Sequence, residues 1–255
     1  MKNLSIELEI ESRWRDWFLV CESVTSVAVL VERTVEIDGS NEKLVVLFAV
    51  YAKILKSYFS ALKLIKSGYG QDAGAVARVV VETLFVLKAS YLDEEFYRQY
   101  KSSAEIERKR CLIGAKEHAK RKNMSQEYID ELDEEISAAG KNIKEGNIIH
   151  HSVKNIAKTA KLEDMYDITY RNLCTKCSHP SPWCLNEHLK EDVISGEYYV
   201  LFGPSPSDVG FILFSLAQSV LIASDTMSKL FSLQLDFVIS VLYKHVMDLE
   251  PTLWR

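Results

Sequence analysis

The chain has 255 residues, with 31 Lys and Arg against 36 Asp and Glu, and its formal net charge is −5. Hydrophobic residues make up 47% of it and charged residues 26%, which are ordinary values for a globular protein. They argue against a disordered chain, a collagen-like chain and a polybasic nucleic-acid coat protein. Because only 10 Gly and 5 Pro occur, the composition favours long helices.

Helical periodicity dominates the first third of the chain. Apolar spacing predicts one helix over residues 4 to 36 and a second from Leu44 to Ile65. Glycine and asparagine between residues 37 and 41 predict the break between them, because both accept a positive φ. Residues 72 to 92 are apolar on nearly every face and contain no helix breaker, which predicts a central helix.

Residues 94 to 122 and 125 to 145 are predicted to form an exposed pair of helices. The segment 98 to 122 holds nine basic and three acidic residues, whereas 127 to 135 holds six acidic residues and no basic one. A basic patch of this kind can bind phosphate. We favour the simpler interpretation, in which two adjacent helices neutralise each other.

The C-terminal third contains the one predicted departure from helix. A helix is predicted over most of 151 to 178, and His179-Pro180 ends it because proline lacks the amide donor. Residues 193 to 202 predict a hairpin that turns at Ser195-Gly196. Two further helices are predicted over 208 to 231 and 234 to 249. The sequence thus predicts an all-α multi-helix bundle, a single domain over residues 1 to 255, with a small β-hairpin insertion near residues 193–202.

We expect a cytoplasmic protein with no membrane span. The N-terminus has neither the basic start nor the apolar stretch of a secretory signal. The longest charge-free stretch, Val209 to Ser224, has 16 residues, fewer than the roughly 20 that cross a bilayer, and we interpret it as a buried core helix. Five cysteines, an odd number, indicate reduced thiols.

Arg78 and Glu82 are the first candidate site. They lie four residues apart in the most apolar predicted helix, so both side chains occupy one face. A buried charge is costly unless it is paired. One interpretation is therefore an ion pair that fixes the helix register. The other is a polar pocket floor, in which Arg78 binds an anionic group and Glu82 orients it.

A second candidate lies near the end of the helix predicted over 151 to 178. It comprises Tyr170, Arg171 and Asn172, followed by His179. Arg171 and His179 are eight residues apart, about 12 Å along an ideal helix axis. Protonated imidazole is favoured at a helix C-terminus, so His179 either caps the last turn and packs on Trp183 or takes part in chemistry.

A metal site is a weaker alternative in the same region. Cys174, Cys177, Cys184 and His188 supply thiolate and imidazole groups within 15 residues, and zinc takes four such ligands. The cysteines also fit a helical core pattern, where cysteine is an ordinary small residue. The sequence contains no phosphate-binding or dinucleotide-binding glycine motif, and we expect no cofactor.

Two stretches resemble the bacterial domain-of-unknown-function family 5677. The first runs from Ser60 to Ile65 and on through Ala77-Arg78-Val79-Val80-Val81-Glu82-Thr83-Leu84. The second is Met165 to Leu173, followed by Cys177-Ser178-His179-Pro180-Ser181. The similarity extends over about residues 45–250. It implies an all-helical fold and carries no established activity.

That family is in turn loosely similar to the HEPN helical proteins, many of which are dimeric, metal-independent ribonucleases of toxin and antiviral systems. Their motif is an Arg with a polar neighbour, followed four to six residues later by His. Arg171-Asn172 resembles the first half and His179 the second, with seven residues between Arg171 and His179.

The resemblance implies a concrete function. His179 would transfer a proton at a ribose 2′-hydroxyl or at the departing oxygen, and Arg171 would stabilise charge on the phosphate. We therefore expect a homodimeric effector that cleaves or binds RNA, within a bacterial defence or toxin system. The alternative is a non-catalytic helical module that binds an anionic ligand or a partner protein around Arg78, Glu82 and Tyr170.

Overall fold

The computed structural model describes residues 2–205 and 209–250. The helices of the first half are α1 Lys2–Arg13, α2 Arg15–Thr34, α3 Glu42–Lys66, α4 Gly70–Leu92, α5 Glu94–Ser102, α6 Ala104–Arg121, α7 Gln126–Glu145 and α8 Val153–Thr159. We call the continuous helical segment 163–178 α9. After it come α10 Pro182–Leu185, a 3₁₀ turn Asn186–His188, β1 Leu189–Glu191, β2 Tyr198–Val200, α11 Gly210–Phe231 and α12 Asp236–Leu249. This all-α bundle with a small antiparallel hairpin confirms the predicted fold class.

Three predicted helices are each divided in two. The first is interrupted at Trp14, and the predicted 94 to 122 helix at Ser103. The predicted 151 to 178 helix breaks at Lys161, whose φ of +56° is left-handed. The Leu162 amide then donates back to the Ala157 carbonyl at 2.9 Å, which closes the end of α8. No Gly or Pro marks this break, so the prediction of one helix was wrong. The predicted start at residue 208 lies outside the described residues.

The main core is built around α4 and α11. It joins buried residues from both ends of the chain, such as Ile10 and Val246. Helix α4 packs against α3, α8, α9 and α11, which confirms its predicted central position. The Tyr51 hydroxyl lies 2.9 Å from Ser224 Oγ, so α3 and α11 are also joined by a buried polar contact.

Helices α6 and α7 pack chiefly on each other. Arg108 donates to Glu135 at 3.1 Å and Lys116 pairs with Asp133 across the helix interface. The positive charge of α6 and the negative charge of α7 are thus partly neutralised within the pair, as we favoured from the sequence.

The hairpin begins earlier than predicted. Its strands pair Leu189 with Val200 and Glu191 with Tyr198, instead of running from residue 193. Residues 192 to 197 form the turn, because Asp192 Oδ1 accepts from the amides of Ile194 and Ser195 at 2.9 and 2.8 Å. The carboxylate thus sets the turn, so β1 precedes the apolar Val193-Ile194 pair.

Within residues 2–205 and 209–250, two helices, α3 and α11, are long and apolar enough to cross a membrane by length and composition alone. The most hydrophobic window of α11 is 78% buried within the protein, and that of α3 is 44% buried. Core helices of folded proteins pass the same test. The burial of α11 confirms that the stretch from Val209 to Ser224 belongs to a core helix, which begins at Gly210 with Val209 as its buried N-cap.

Candidate functional site

One face of α4 carries the residues that hold α9 and the hairpin base in place. Successive members are three or four positions apart, which is the spacing of a single helix face. From the N-terminus they are Gln71, Gly74, Arg78, Glu82 and Phe85. The contacts of this face are the starting point for the site.

Arg78, Glu82 and Tyr170 form a hydrogen-bonded cluster, which we call the α4–α9 triad. Arg78 Nη1 donates to Glu82 Oε1 at 2.9 Å, and the Tyr170 hydroxyl donates to the same oxygen at 2.7 Å. The Arg78 and Glu82 side chains are 28% and 30% exposed, so the cluster lies at the edge of the core. All three residues predicted for the ligand-binding site therefore come together.

The contacts within the triad affect the pKa of Arg78 and of Tyr170. Burial disfavours the charged guanidinium, but the Glu82 carboxylate and Tyr170 outweigh burial and raise the pKa of Arg78 above its ordinary value. Burial, followed by the hydrogen bond to Glu82, raises the pKa of the Tyr170 hydroxyl. Tyr170 consequently stays protonated and acts as a donor at neutral pH.

Aromatic packing fixes the direction of the Tyr170 side chain. Its ring stacks on Tyr166 with centroids 5.3 Å apart and meets the edge of Phe85 at 6.3 Å. Tyr166 and Tyr170 lie within a π-helical turn, 166–170, and a second π-helical turn covers 174–178. Such turns are frequent at functional sites.

Gly74 allows α9 to approach α4 closely. A methyl group at Gly74 would place its carbon 2.8 Å from Cys177 Cβ, and closer still to Cys177 Sγ. Sequence reasoning overlooked Gly74, although a glycine within a helix is a recognisable signal of close packing.

Gln71 ties the hairpin base to the start of α4. Its amide nitrogen donates to the carbonyls of Cys184 at 2.7 Å and Lys176 at 3.2 Å, and it contacts Cys184 Sγ. Its amide oxygen lies 2.8 Å from His188 Nε2. Gln71 was also missed, and nothing in its sequence context distinguishes it from an ordinary polar residue of a first helical turn.

The alternative zinc ligands do not form a metal site in the part of the chain that the structure describes. No group of three or more His, Cys, Asp or Glu side chains there could hold an ion. Instead, Cys184 and His188 contact Gln71, Cys177 lies against Gly74, and Cys174 lies near the triad.

Arg171, Asn172 and His179 do not join the triad. The Arg171 side chain is 68% exposed and extends to Asp167 at 3.6 Å. Asn172 Nδ2 donates to the Ile168 carbonyl at 2.6 Å. His179 is exposed and ends α9, its amide donating to the Cys174 carbonyl at 3.1 Å. Of the second candidate, Tyr170 therefore joins Arg78 and Glu82, whereas Arg171, Asn172 and His179 have other partners.

The π-helical turn at 174–178 affects the relation between Arg171 and His179. Eight residues of an ideal α-helix make about 2.2 turns. In a π-helical turn the backbone hydrogen bonds join residues i and i+5, so that turn contains one residue more than an α-helical turn. The eight residues from Arg171 to His179 therefore make about two turns. Arg171 and His179 consequently lie close to one face of α9, well apart along its axis.

A basic and aromatic surface occupies the end of α9. The Lys176 ammonium lies 5.3 Å from the ring centroid of Trp183, whose side chain is 59% exposed. Arg171 and His179 are exposed on the same segment. We call Arg171, Lys176, His179 and Trp183 the α9 terminal surface.

The fold and the triad together define an all-helical protein with a polar interhelical cluster at the rim of its core. The chain belongs to the Family of unknown function (DUF5677), whose model matches residues 44–198. That range includes the triad, the α9 terminal surface and the hairpin as far as Tyr198. No curated protein and no solved structure matches the chain.

Proposed function

We propose that the chain binds single-stranded RNA at the α9 terminal surface. The observation that carries the proposal is the exposed Trp183 beside Lys176, with Arg171 on the same segment. Cationic side chains bind phosphates, and an exposed aromatic ring stacks on unpaired bases. The net charge of −5 confines this affinity to a local surface, because an acidic protein repels nucleic acid elsewhere.

The geometry supports binding better than cleavage by one chain. Arg171 extends towards Asp167, in the N-terminal direction of α9, and His179 lies about two turns away in the other direction. Groups separated in this way contact successive phosphates of a strand more readily than one phosphate. The proton-transfer role of His179 stays a prediction, as do the catalytic roles of Arg171 and Asn172.

Fluorescence anisotropy with a labelled single-stranded RNA of about 12 nucleotides tests the proposal. We expect Trp183→Ala to raise Kd by about 5- to 150-fold, the factor that corresponds to 1–3 kcal/mol of stacking. Combined Arg171→Ala and Lys176→Ala should weaken binding and reduce its salt dependence. Lys141→Ala is the matched control, because Lys141 is an exposed cation on α7. Equal Kd values for all variants would contradict the proposal.

The same RNA, labelled at both ends, separates binding from cleavage. Incubation with the full chain and analysis of the fragments would show any metal-independent cleavage, and His179→Ala should abolish it while leaving Kd within a few-fold. If the RNA stays uncut, the catalytic role predicted for His179 is wrong, and only the proposal that the chain binds RNA is retained.

A second candidate function rests on the triad. We infer that Arg78 can take a small anion such as phosphate while Glu82 holds its guanidinium in place. The Arg78 side chain is 28% exposed and its Nη1 donates to Glu82, whereas Nε is buried and has no hydrogen-bond partner among the described residues. Guanidinium donors left over from an ion pair can bind an anion.

Titration calorimetry with phosphate tests this second candidate. We expect Arg78→Lys, which keeps the charge but loses the forked donors, to weaken phosphate binding at least tenfold. Arg98→Lys is a matched control on α5, where Arg98 pairs with Glu95 on the surface. Undetectable binding by the unchanged protein would leave the triad as a helix–helix tie. A partner protein at this site, a cytoplasmic location, and a role in bacterial defence stay predictions.

A further inference from the structure

The hairpin exposes a large apolar surface. Seven of its side chains are between 45% and 99% exposed: Leu189, Val193, Ile194, Tyr198, Tyr199, Val200 and Phe202. Exposed apolar surface of this extent marks an interaction site. A two-stranded hairpin is also only marginally stable by itself. An additional strand from a partner would therefore stabilise it.

The outer edge of β2 is open to strand pairing. In the hairpin, Lys190 lies opposite Tyr199, and Leu201 N donates to the His188 carbonyl at 2.8 Å. Because an antiparallel pair alternates inward and outward backbone groups, the amides of Tyr198 and Val200 point away from β1. Charged residues and proline normally protect an edge strand from pairing with another strand. Residues 198 to 202 contain neither.

The sequence of this edge is complementary to itself. An antiparallel pairing of two β2 strands centred on Val200 places Tyr198 opposite Phe202 of the partner subunit. In the same register Glu197 lies opposite Gly203 of the partner subunit, so no like charges face each other. Aromatic pairs across strands stabilise a sheet, and one patch meeting its own copy is the arrangement of a two-fold dimer.

The charge around the hairpin selects a second copy over a lipid surface. Glu191, Asp192 and Glu197 surround the tip that carries Val193 and Ile194, and anionic membranes repel such a cluster. Tyr198, Val200 and Phe202, which lie on this edge and take part in the pairing, are 72%, 51% and 88% exposed. A second copy would cover apolar side chains that now face solvent.

We propose that two copies of this chain associate through antiparallel pairing of their β2 edges, centred on Val200, into a four-stranded sheet. The pairing leaves the α9 terminal surface outside the contact, so it is independent of the proposed RNA binding. It assigns to the exposed hairpin the role of a dimerisation element.

Sedimentation velocity of the full chain between about 1 and 50 μM tests the proposal. We expect a dimer for the unchanged protein. Val200→Lys should raise the dimer Kd at least tenfold, because two ammonium groups then meet at the two-fold axis. Phe237→Lys is the control, since Phe237 is a 78% exposed aromatic residue on α12, and it should leave the dimer intact. Far-UV circular dichroism verifies that each variant is folded.

A charge swap tests the register. Tyr198→Lys and Phe202→Glu should each weaken the dimer, and the two together should restore it, because the new charges face each other across the interface. Three results would overturn the proposal. The unchanged protein could be a monomer, Val200→Lys could leave the dimer Kd unchanged, or the double variant could fail to restore the dimer. Pelleting of a monomeric chain with phosphatidylcholine–phosphatidylserine vesicles would overturn it in favour of a lipid surface.

Discussion

The Tyr170 hydroxyl and the Arg78 guanidinium meet at one oxygen, Glu82 Oε1, at 2.7 and 2.9 Å. Arg78 and Glu82 are one turn apart on α4, whereas Tyr170 comes from α9, 88 residues later than Glu82 in the chain. The shared oxygen therefore converts a local ion pair into a link between two helices.

Removing the Tyr170 hydroxyl should destabilise the protein. Hydrogen bonds to charged groups contribute about 1.5–3 kcal/mol when buried, and because Glu82 is partly exposed we expect about 1 kcal/mol for Tyr170→Phe. Urea unfolding measures the change. Tyr166→Phe is the control, since its ring stacks in the same cluster without bonding Glu82. In a Glu82→Gln background the effect of Tyr170→Phe should shrink; full additivity would show that the two groups do not interact.

Gly74→Ala should destabilise the protein, against the usual preference of helices for alanine. Alanine normally stabilises a helix interior by about 0.5–1 kcal/mol relative to glycine. At Gly74 the added carbon meets Cys177, and overpacking costs about 1–3 kcal/mol. Gly114→Ala on α6 is the matched control, because nothing lies within 4 Å of that position. Thermal unfolding should show Tm falling for Gly74→Ala and rising for Gly114→Ala; two changes of equal sign would refute the close contact.

The cysteines should differ sharply in reactivity. Burial raises the pKa of the Cys21 thiol to about 12, whereas Cys111 is exposed on α6. Since the thiolate is the reactive form, a disulfide reagent should label Cys111 quickly and Cys21 only after unfolding. Cys111→Ser should remove the fast phase, and Cys21→Ser should leave it unchanged. Rapid labelling of Cys21 in the folded protein would contradict the structure around it.

The hairpin turn should depend on pH at the acidic end. Hydrogen bonds from the amides of Ser195 and then Ile194 lower the pKa of Asp192. A lowered folded pKa stabilises the turn above the ordinary carboxyl pKa of about 3.9, and this contribution is lost as pH falls through the folded value.

Amide chemical shifts of Ile194 and Ser195, followed by NMR from pH 7 to pH 2, measure this loss. Asp192→Asn keeps an acceptor oxygen without titrating, so its amide shifts should stay nearly constant over the same range. A titration of equal size in Asp192→Asn would assign the transition to another group.

The sequence predicted the features of the fold that depend on neighbouring residues in the chain. Helical periodicity indicated the all-α class and the central position of α4, because an all-apolar helix has to be surrounded by other elements. The four-residue spacing of Arg78 and Glu82 predicted that both side chains lie on one face of the helix, since this follows from helix geometry alone. The opposite charges of α6 and α7 indicated their cross-helix pairs in the same way.

Only the tertiary structure decided which segments meet. Tyr170 was predicted to share a ligand-binding site with Arg78 and Glu82, but its hydrogen bond to the Glu82 carboxylate joins residues 88 positions apart, and no local pattern indicates that bond. The left-handed Lys161 and the π-helical turns of α9 have no Gly or Pro to signal them in the sequence, and the close approach of Cys177 to Gly74 joins residues far apart in the chain. Local spacing places side chains on a helix face, but the partner of that face depends on the packing of the whole core.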